Sequence, residues 1–288
     1  MAAFLGLMCA VAGDARGAEL APNTWVKVEV DFSKALADFL GGKKGGWSQG
    51  DGYSDNLYRS KTGEGLIRTG ISCREIGWSP GFYTNTSVLW DLKTDTAKVI
   101  NVANWGGGSS GHGKLLPAFK DHPTPTPRHT YDGMAYVPEK DVMYMMLGAN
   151  WRVGGRGATP EAKAQLKKDG GITWKYDFKT DRWSGIDHHV RNVLGKVYPY
   201  ESHMRHWPKG GKLLFLDSGG KSYAEFDLEK QKWEKVALKG KCPMSLYNAR
   251  SAWDSKRGIW IFRLGPRLCT FNPETRTFEK LPDCYDMK

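Results

Sequence analysis

No apolar run in the 288 residues reaches the roughly 18 needed to cross a bilayer as a helix. No P-loop, H-E-x-x-H metal motif or EF-hand loop is present. The glycine-rich stretch 105–113 is not followed by Lys-Ser/Thr and a helix, so it does not cradle phosphate. Cysteine is scarce, with five residues and no C-x-x-C, which argues against a thiolate zinc site. The net charge is +11, yet no block of five basic residues occurs. Such dispersed charge reads as a basic soluble surface, and no nucleic-acid partner is expected.

Aromatic residues and glycine are plentiful. The chain holds 12 Trp, about three times the usual share, and 35 Gly. Aromatics suit pleated surfaces and glycine suits tight turns, so the composition points to many short strands.

The apolar run over residues 2–13 has the length of a signal-peptide core, although no Lys or Arg precedes it. Ala15-Arg16-Gly17 offers a cleavage context. We therefore expect a signal peptide over 1–18, export to the periplasm or beyond, and a mature domain over 19–288. Cleavage removes Cys9 and leaves Cys73, Cys242, Cys269 and Cys284, which allow three disulfide pairings or free thiols.

Internal repetition is the strongest signal. Segments 88–100, 174–186, 224–236 and 269–281 share one pattern. An aromatic (Trp90, Tyr176, Phe226, Phe271) precedes Asp91, Asp177, Asp227 or Asn272. Six residues later stands Ala97, Trp183, Trp233 or Phe278. This spacing predicts a hairpin whose Asp or Asn side chain accepts from turn amides. Ahead of three segments, 135–148, 206–219 and 252–265 each read as a strand, a polar turn and an apolar strand ending at Gly. MYMMLG, LLFLDSGG and IWIFRLG have the character of strands buried on both faces. Four strands recur about every 45–50 residues, the unit of a β-propeller blade.

The residues resemble the kelch-repeat family. Tyr176, Asp177, Thr180 and Trp183 form its aromatic-Asp-x-x-Thr-x-x-Trp element, and Arg128 stands ahead of a repeat. The glycine pair after the inner strand survives as Gly219-Gly220 only. The resemblance spans residues 60–281 and implies an all-β, kelch-type propeller. It carries no recognisable galactose-oxidase copper centre, so no metal or cofactor is expected.

Two insertions interrupt the period. Residues 101–127 read as a long surface loop, and residues 149–173 contain a short helix opening at Pro160 after the cap Thr159. Residues 31–40 read as an amphipathic helix, and 44–75 as a degenerate extra blade. Trp25 to Val28 looks like an outer strand donated to close a ring. With four to five blades visible, the chain is expected to be part of a longer propeller, the alternative being a compact four- or five-bladed ring.

Segments ahead of the inner strands should converge on the central channel. They carry Arg128, His129, Tyr131, His203, Arg205, Tyr247, Asn248 and Arg250. His203 and His206 lie three apart on a strand, hence on opposite faces, which disfavours a shared metal. Aromatics stack on sugar faces and Arg pairs with carboxylates, so these residues suit a sugar or anionic ligand. They would equally satisfy loop backbone and fill the channel. Trp151 and the 149–173 insertion form a second candidate site. The expected function is a non-catalytic scaffold for a carbohydrate or protein partner. The alternative is a polysaccharide lyase or oxidase using the channel His, Tyr and Arg.

Overall fold

The computed structural model describes residues 46–48, 56–68, 70–72, 87–91, 94, 96–100, 105–107, 113–115, 125, 128, 130–148, 160–198 and 200–284. The expectations for the signal peptide, the donated strand, the 31–40 helix, Cys9, Cys73, His129 and Trp151 lie outside these residues.

Four four-stranded antiparallel meanders make a propeller arrangement. Blade 1 holds Asn56–Arg59, Glu64–Arg68, Ser87–Asp91 and Thr96–Ile100. Blade 2 holds Met134–Val137, Val142–Met145, Thr173–Asp177 and Arg182–Ile186. Blade 3 holds His203–Trp207, Lys212–Leu216, Tyr223–Asp227 and Lys232–Val236. Blade 4 holds Arg250–Asp254, Ile259–Leu264, Arg267–Asn272 and Thr277–Leu281. The first strands of blades 1, 2 and 3 run beside one another, so the first strand of each blade is innermost.

The repeated hairpin forms as its spacing requires. Tyr176 faces Trp183, Phe226 faces Trp233 and Phe271 faces Phe278 across the strand pair. Asp177 Oδ1 accepts from the amides of Lys179 and Thr180 at 2.8 and 3.2 Å. Asp227 accepts from Glu229 and Lys230, and Asn272 from Glu274 and Thr275. The chain leaves each turn through a left-handed residue: Asp181, Gln231 and Arg276.

Alternation along the second strand explains why it is apolar throughout. In blade 3, Leu213 and Phe215 pack with Tyr144 and Phe226 toward blade 2, while Leu214 and Leu216 pack with Trp260 and Phe262 of blade 4. In blade 2, Met143 and Met145 join Leu89 of blade 1. Blade 4 departs from the expectation of burial on both faces. Trp260 and Phe262 are buried, but Ile259 and Ile261 are half-buried and Arg263 is exposed, because no described blade covers that side.

Two further expectations are corrected. Residues 56–68 are the first two strands of blade 1 and not a separate degenerate blade. Their short apolar stretch hid them, and 70–72 pairs instead with 46–48. The 101–127 insertion contains a short antiparallel pair, Trp105–Gly107 with Gly113–Leu115. The 149–173 insertion does carry a helix, Pro160–Asp169. Among the described residues no helix is long and apolar enough to cross a membrane.

Candidate functional site

The loops leading into the innermost strands share a backbone feature. Tyr131, Glu201 and Asn248 are all left-handed, with φ of 50°, 55° and 60°. They occupy equivalent steps ahead of blades 2, 3 and 4. Asn tolerates this conformation, whereas Tyr and Glu are held there at a cost of order 1 kcal/mol each. Tyr200 and Tyr247 stand immediately before two of these residues and Tyr131 is itself the third, so these loops bring aromatic rings to the mouth of the ring.

Four tyrosines meet at that mouth. Tyr131 contacts Tyr200 edge-on at 5.9 Å between centroids, and Tyr200 contacts Tyr198 at 4.8 Å. Tyr198 in turn lies 6.2 Å from Tyr247. Tyr198 is 51% exposed and Tyr247 43%, two of the three exposed large hydrophobic residues among those described. The four rings come from the loops into blades 2, 3 and 4.

Beneath the rings lies a polar cluster centred on Asp132. Its carboxylate accepts from His203 Nδ1 at 2.5 Å, from Arg205 Nη2 and from Ser251 Oγ. The donors come from the first strands of blades 3 and 4, so one carboxylate links three blades. Its backbone oxygen also accepts from the Met204 amide at 2.8 Å. Burial pushes the Asp132 pKa up, but the Arg205 charge and the bonds from His203 and Ser251 outweigh it. The carboxyl is held well below its usual range.

A Ser, a His and an Asp meet here without forming a nucleophilic triad. Ser251 donates to Asp132 and not to the imidazole. The second ring nitrogen of His203 lies 3.0 Å from the Leu246 carbonyl. His203 is 1% exposed, and neither nitrogen is left to meet a substrate. Arg205 is likewise committed to Asp132 and the Met204 and Ser251 carbonyls, with its guanidinium 5.9 Å from the Trp260 ring. These residues act as a brace that sets the loops above them.

Arg128 is buried, with Nη1 donating to the Leu147 carbonyl at 2.7 Å, and so pins the end of an inner hairpin. Tyr131 and Tyr247 stand at the two ends of the ring run, and Asn248 and Arg250 are exposed. Sequence reasoning missed Asp132, Tyr198, Tyr200, Glu201 and Ser251. The aromatic alternation in Tyr198-Pro199-Tyr200, directly ahead of an inner strand, was the available signal. Glu201 is buried; burial raises its carboxyl pKa, partly offset by the Arg250 and His203 charges.

The second candidate region is represented by its helix. A groove of about 800 Å³ lies between this helix and blade 2, lined by Lys167, Lys168, Ile172, Trp174 and Asp187. Its lining shares no residue with the tyrosine mouth, and Trp174 is only 1% exposed within it. Among the described residues no group of three or more His, Cys, Asp or Glu is arranged to hold a metal ion.

No protein-family model matches the chain, and no curated protein matches it significantly. The propeller arrangement therefore rests on the sheets themselves.

Proposed function

We propose that the protein is a non-catalytic, exported, kelch-type scaffold that binds carbohydrate at the tyrosine mouth. The observation that carries this reading is the run Tyr131, Tyr200, Tyr198 and Tyr247, in ring contact and exposed at its Tyr198–Tyr247 end. A ring presents an apolar face to the C–H groups of a sugar and a hydroxyl to its polar rim. Rings tilted against one another suit a sugar chain better than one flat aromatic ligand. Arg250, exposed and three residues after Tyr247 in the chain, would supply a fork that pairs with the carboxylate of an acidic sugar. Structural commitment of His203 and Arg205 favours binding over lyase or oxidase chemistry.

The test is titration calorimetry of the full chain against neutral and acidic oligosaccharides. Saturable binding is expected, weakened roughly tenfold by Tyr198→Ala and again by Tyr247→Ala. Arg250→Ala should reduce the preference for acidic sugars. Absence of glycan binding, with saturable binding of a protein partner at the same rings, would replace this reading. Release of unsaturated or oxidised sugar would establish the enzyme.

A further inference from the structure

The first residue of each innermost strand faces a residue near the end of the second strand, where the mouth loops enter the blade. In blade 2 that cross-strand pair is Met134 with Met145, and in blade 3 it is His203 with Leu216. All four are buried. Blade 4 instead sets Arg250 opposite Arg263, and both are exposed. Directly opposed residues of an antiparallel pair have Cβ atoms about 5 Å apart, and like charges so placed repel.

Among the described residues neither arginine has a carboxylate within ion-pair distance. Arg263 donates from Nε to the Gly265 carbonyl at 3.0 Å, and its terminal nitrogens meet no described acceptor. Arg250 follows Tyr247 by three residues, and its charge acts on the buried Glu201 of the loop into blade 3. Strand alternation decides what lies beside the pair. Ala252 faces Ile261 on the same side of the sheet, and Leu268 of the third strand stands opposite Arg263. Ala252 is exposed, and Ile261 and Leu268 are half-buried, because this is the side that no described blade covers. Two cations without a described counter-charge therefore adjoin an apolar shelf.

We propose that Arg250 and Arg263 form a two-fork clamp on blade 4 for a tetrahedral oxyanion, the sulfate or phosphate ester of a glycan. The clamp rests on the carbohydrate reading for the body of the ligand, but not for its anion. One guanidinium fork fills the two oxygens of a carboxylate. An ester of this kind carries three terminal oxygens and accepts from both forks. The shelf of Ala252, Ile261 and Leu268 gives the sugar carrying the ester an apolar surface to lie on. Binding relieves the repulsion between the arginines, so occupancy and stability are linked.

The full chain is titrated calorimetrically with one oligosaccharide in sulfated, phosphorylated, carboxylated and neutral forms at a single ionic strength. At least one ester is expected to bind roughly tenfold more tightly than the carboxylated form, and the two ester arms identify which. Arg250→Gln and Arg263→Gln should each remove that preference. Tighter binding of the carboxylated form, or an ester preference that survives Arg263→Gln, would overturn the clamp. A second measurement needs no glycan. Sodium sulfate, compared with sodium chloride at equal ionic strength, should raise the thermal midpoint of the wild type more than that of Arg263→Gln, which reports the general salting effect alone. Equal rises would overturn the clamp. A sulfate effect that depends on Arg263, with no glycan bound in any form, would remove the carbohydrate reading and leave the clamp standing.

Discussion

Asp132→Asn removes a charge and changes almost no volume, so it isolates the electrostatics of the brace. The carboxylate receives three side-chain bonds from two other blades, and its side chain is 16% exposed. A charge-assisted hydrogen bond contributes ~1.5–3 kcal/mol. Leaving a buried partner charge uncompensated costs ~3–5 kcal/mol. In the variant Arg205 loses its counter-charge, and the new amide nitrogen turns a donor toward another donor. We expect a loss of about 3–5 kcal/mol in urea unfolding, a large share of the 5–15 kcal/mol typical of a domain. Ser251→Ala deletes one of the three donors and leaves Arg205 paired, so it should cost less, about 1.5 kcal/mol. The pH dependence has a definite sign. The folded pKa of Asp132 lies below its unfolded value, so its contribution is complete above pH ~4. That contribution disappears as pH falls through the lowered folded value. An amide does not titrate in this range, so the urea midpoint of Asp132→Asn should fall less steeply with acid below pH ~4. A loss under ~1.5 kcal/mol, no larger than that of Ser251→Ala, would refute the inter-blade brace.

His189 is buried and its Nδ1 accepts from the Arg191 amide at 3.1 Å, capping a short helix; burial lowers its pKa to about 3. Stability is therefore full above pH ~6.5 and falls by up to ~1.4 kcal/mol per unit toward pH 3, a slope that His189→Asn should remove while keeping the cap, as chemical denaturation across that range will report. Gly220→Ala meets both the left-handed φ and the Cys242 contact, and calorimetry should show a loss of at least ~2 kcal/mol. Gln231 is exposed and left-handed with φ 54°, so Gln231→Gly is expected to stabilise by a few tenths to about 1 kcal/mol, read as a higher urea midpoint.

Blades 2 to 4 were legible because their signals are local. An Asp or Asn followed by an aromatic six residues on dictates a turn and a cross-strand pair, and a both-sided apolar strand dictates a place between blades. The outer hairpin of blade 1 was legible too, but its first two strands escaped because Leu66 and Ile67 make too short an apolar stretch and because the third strand begins only at Ser87. The mouth was half legible. Tyr131, Tyr247, Asn248 and Arg250 follow from their position ahead of inner strands. Asp132 could not be foreseen, since its importance lies in meeting Arg205 and Ser251 across 73 and 119 positions of chain. The structural roles of Arg128 and His203 are hidden for the same reason. Nothing local shows that their polar atoms are taken up by the Leu147 and Leu246 carbonyls.

The aromatic excess that marks this chain divides into two populations. Trp174, Trp233 and Trp260 are buried between strands as packing, whereas Tyr198 and Tyr247 face outward at the mouth. The measurement that most directly separates them is an NMR titration of protein labelled with ¹³C at tyrosine rings, with acidic and neutral oligosaccharides. The account predicts saturable shifts in the Tyr198 and Tyr247 resonances, assigned by their loss in the single Ala variants, while buried Tyr176 and Tyr223 stay still. Glycan binding that shifts other rings and leaves these two unmoved would contradict it.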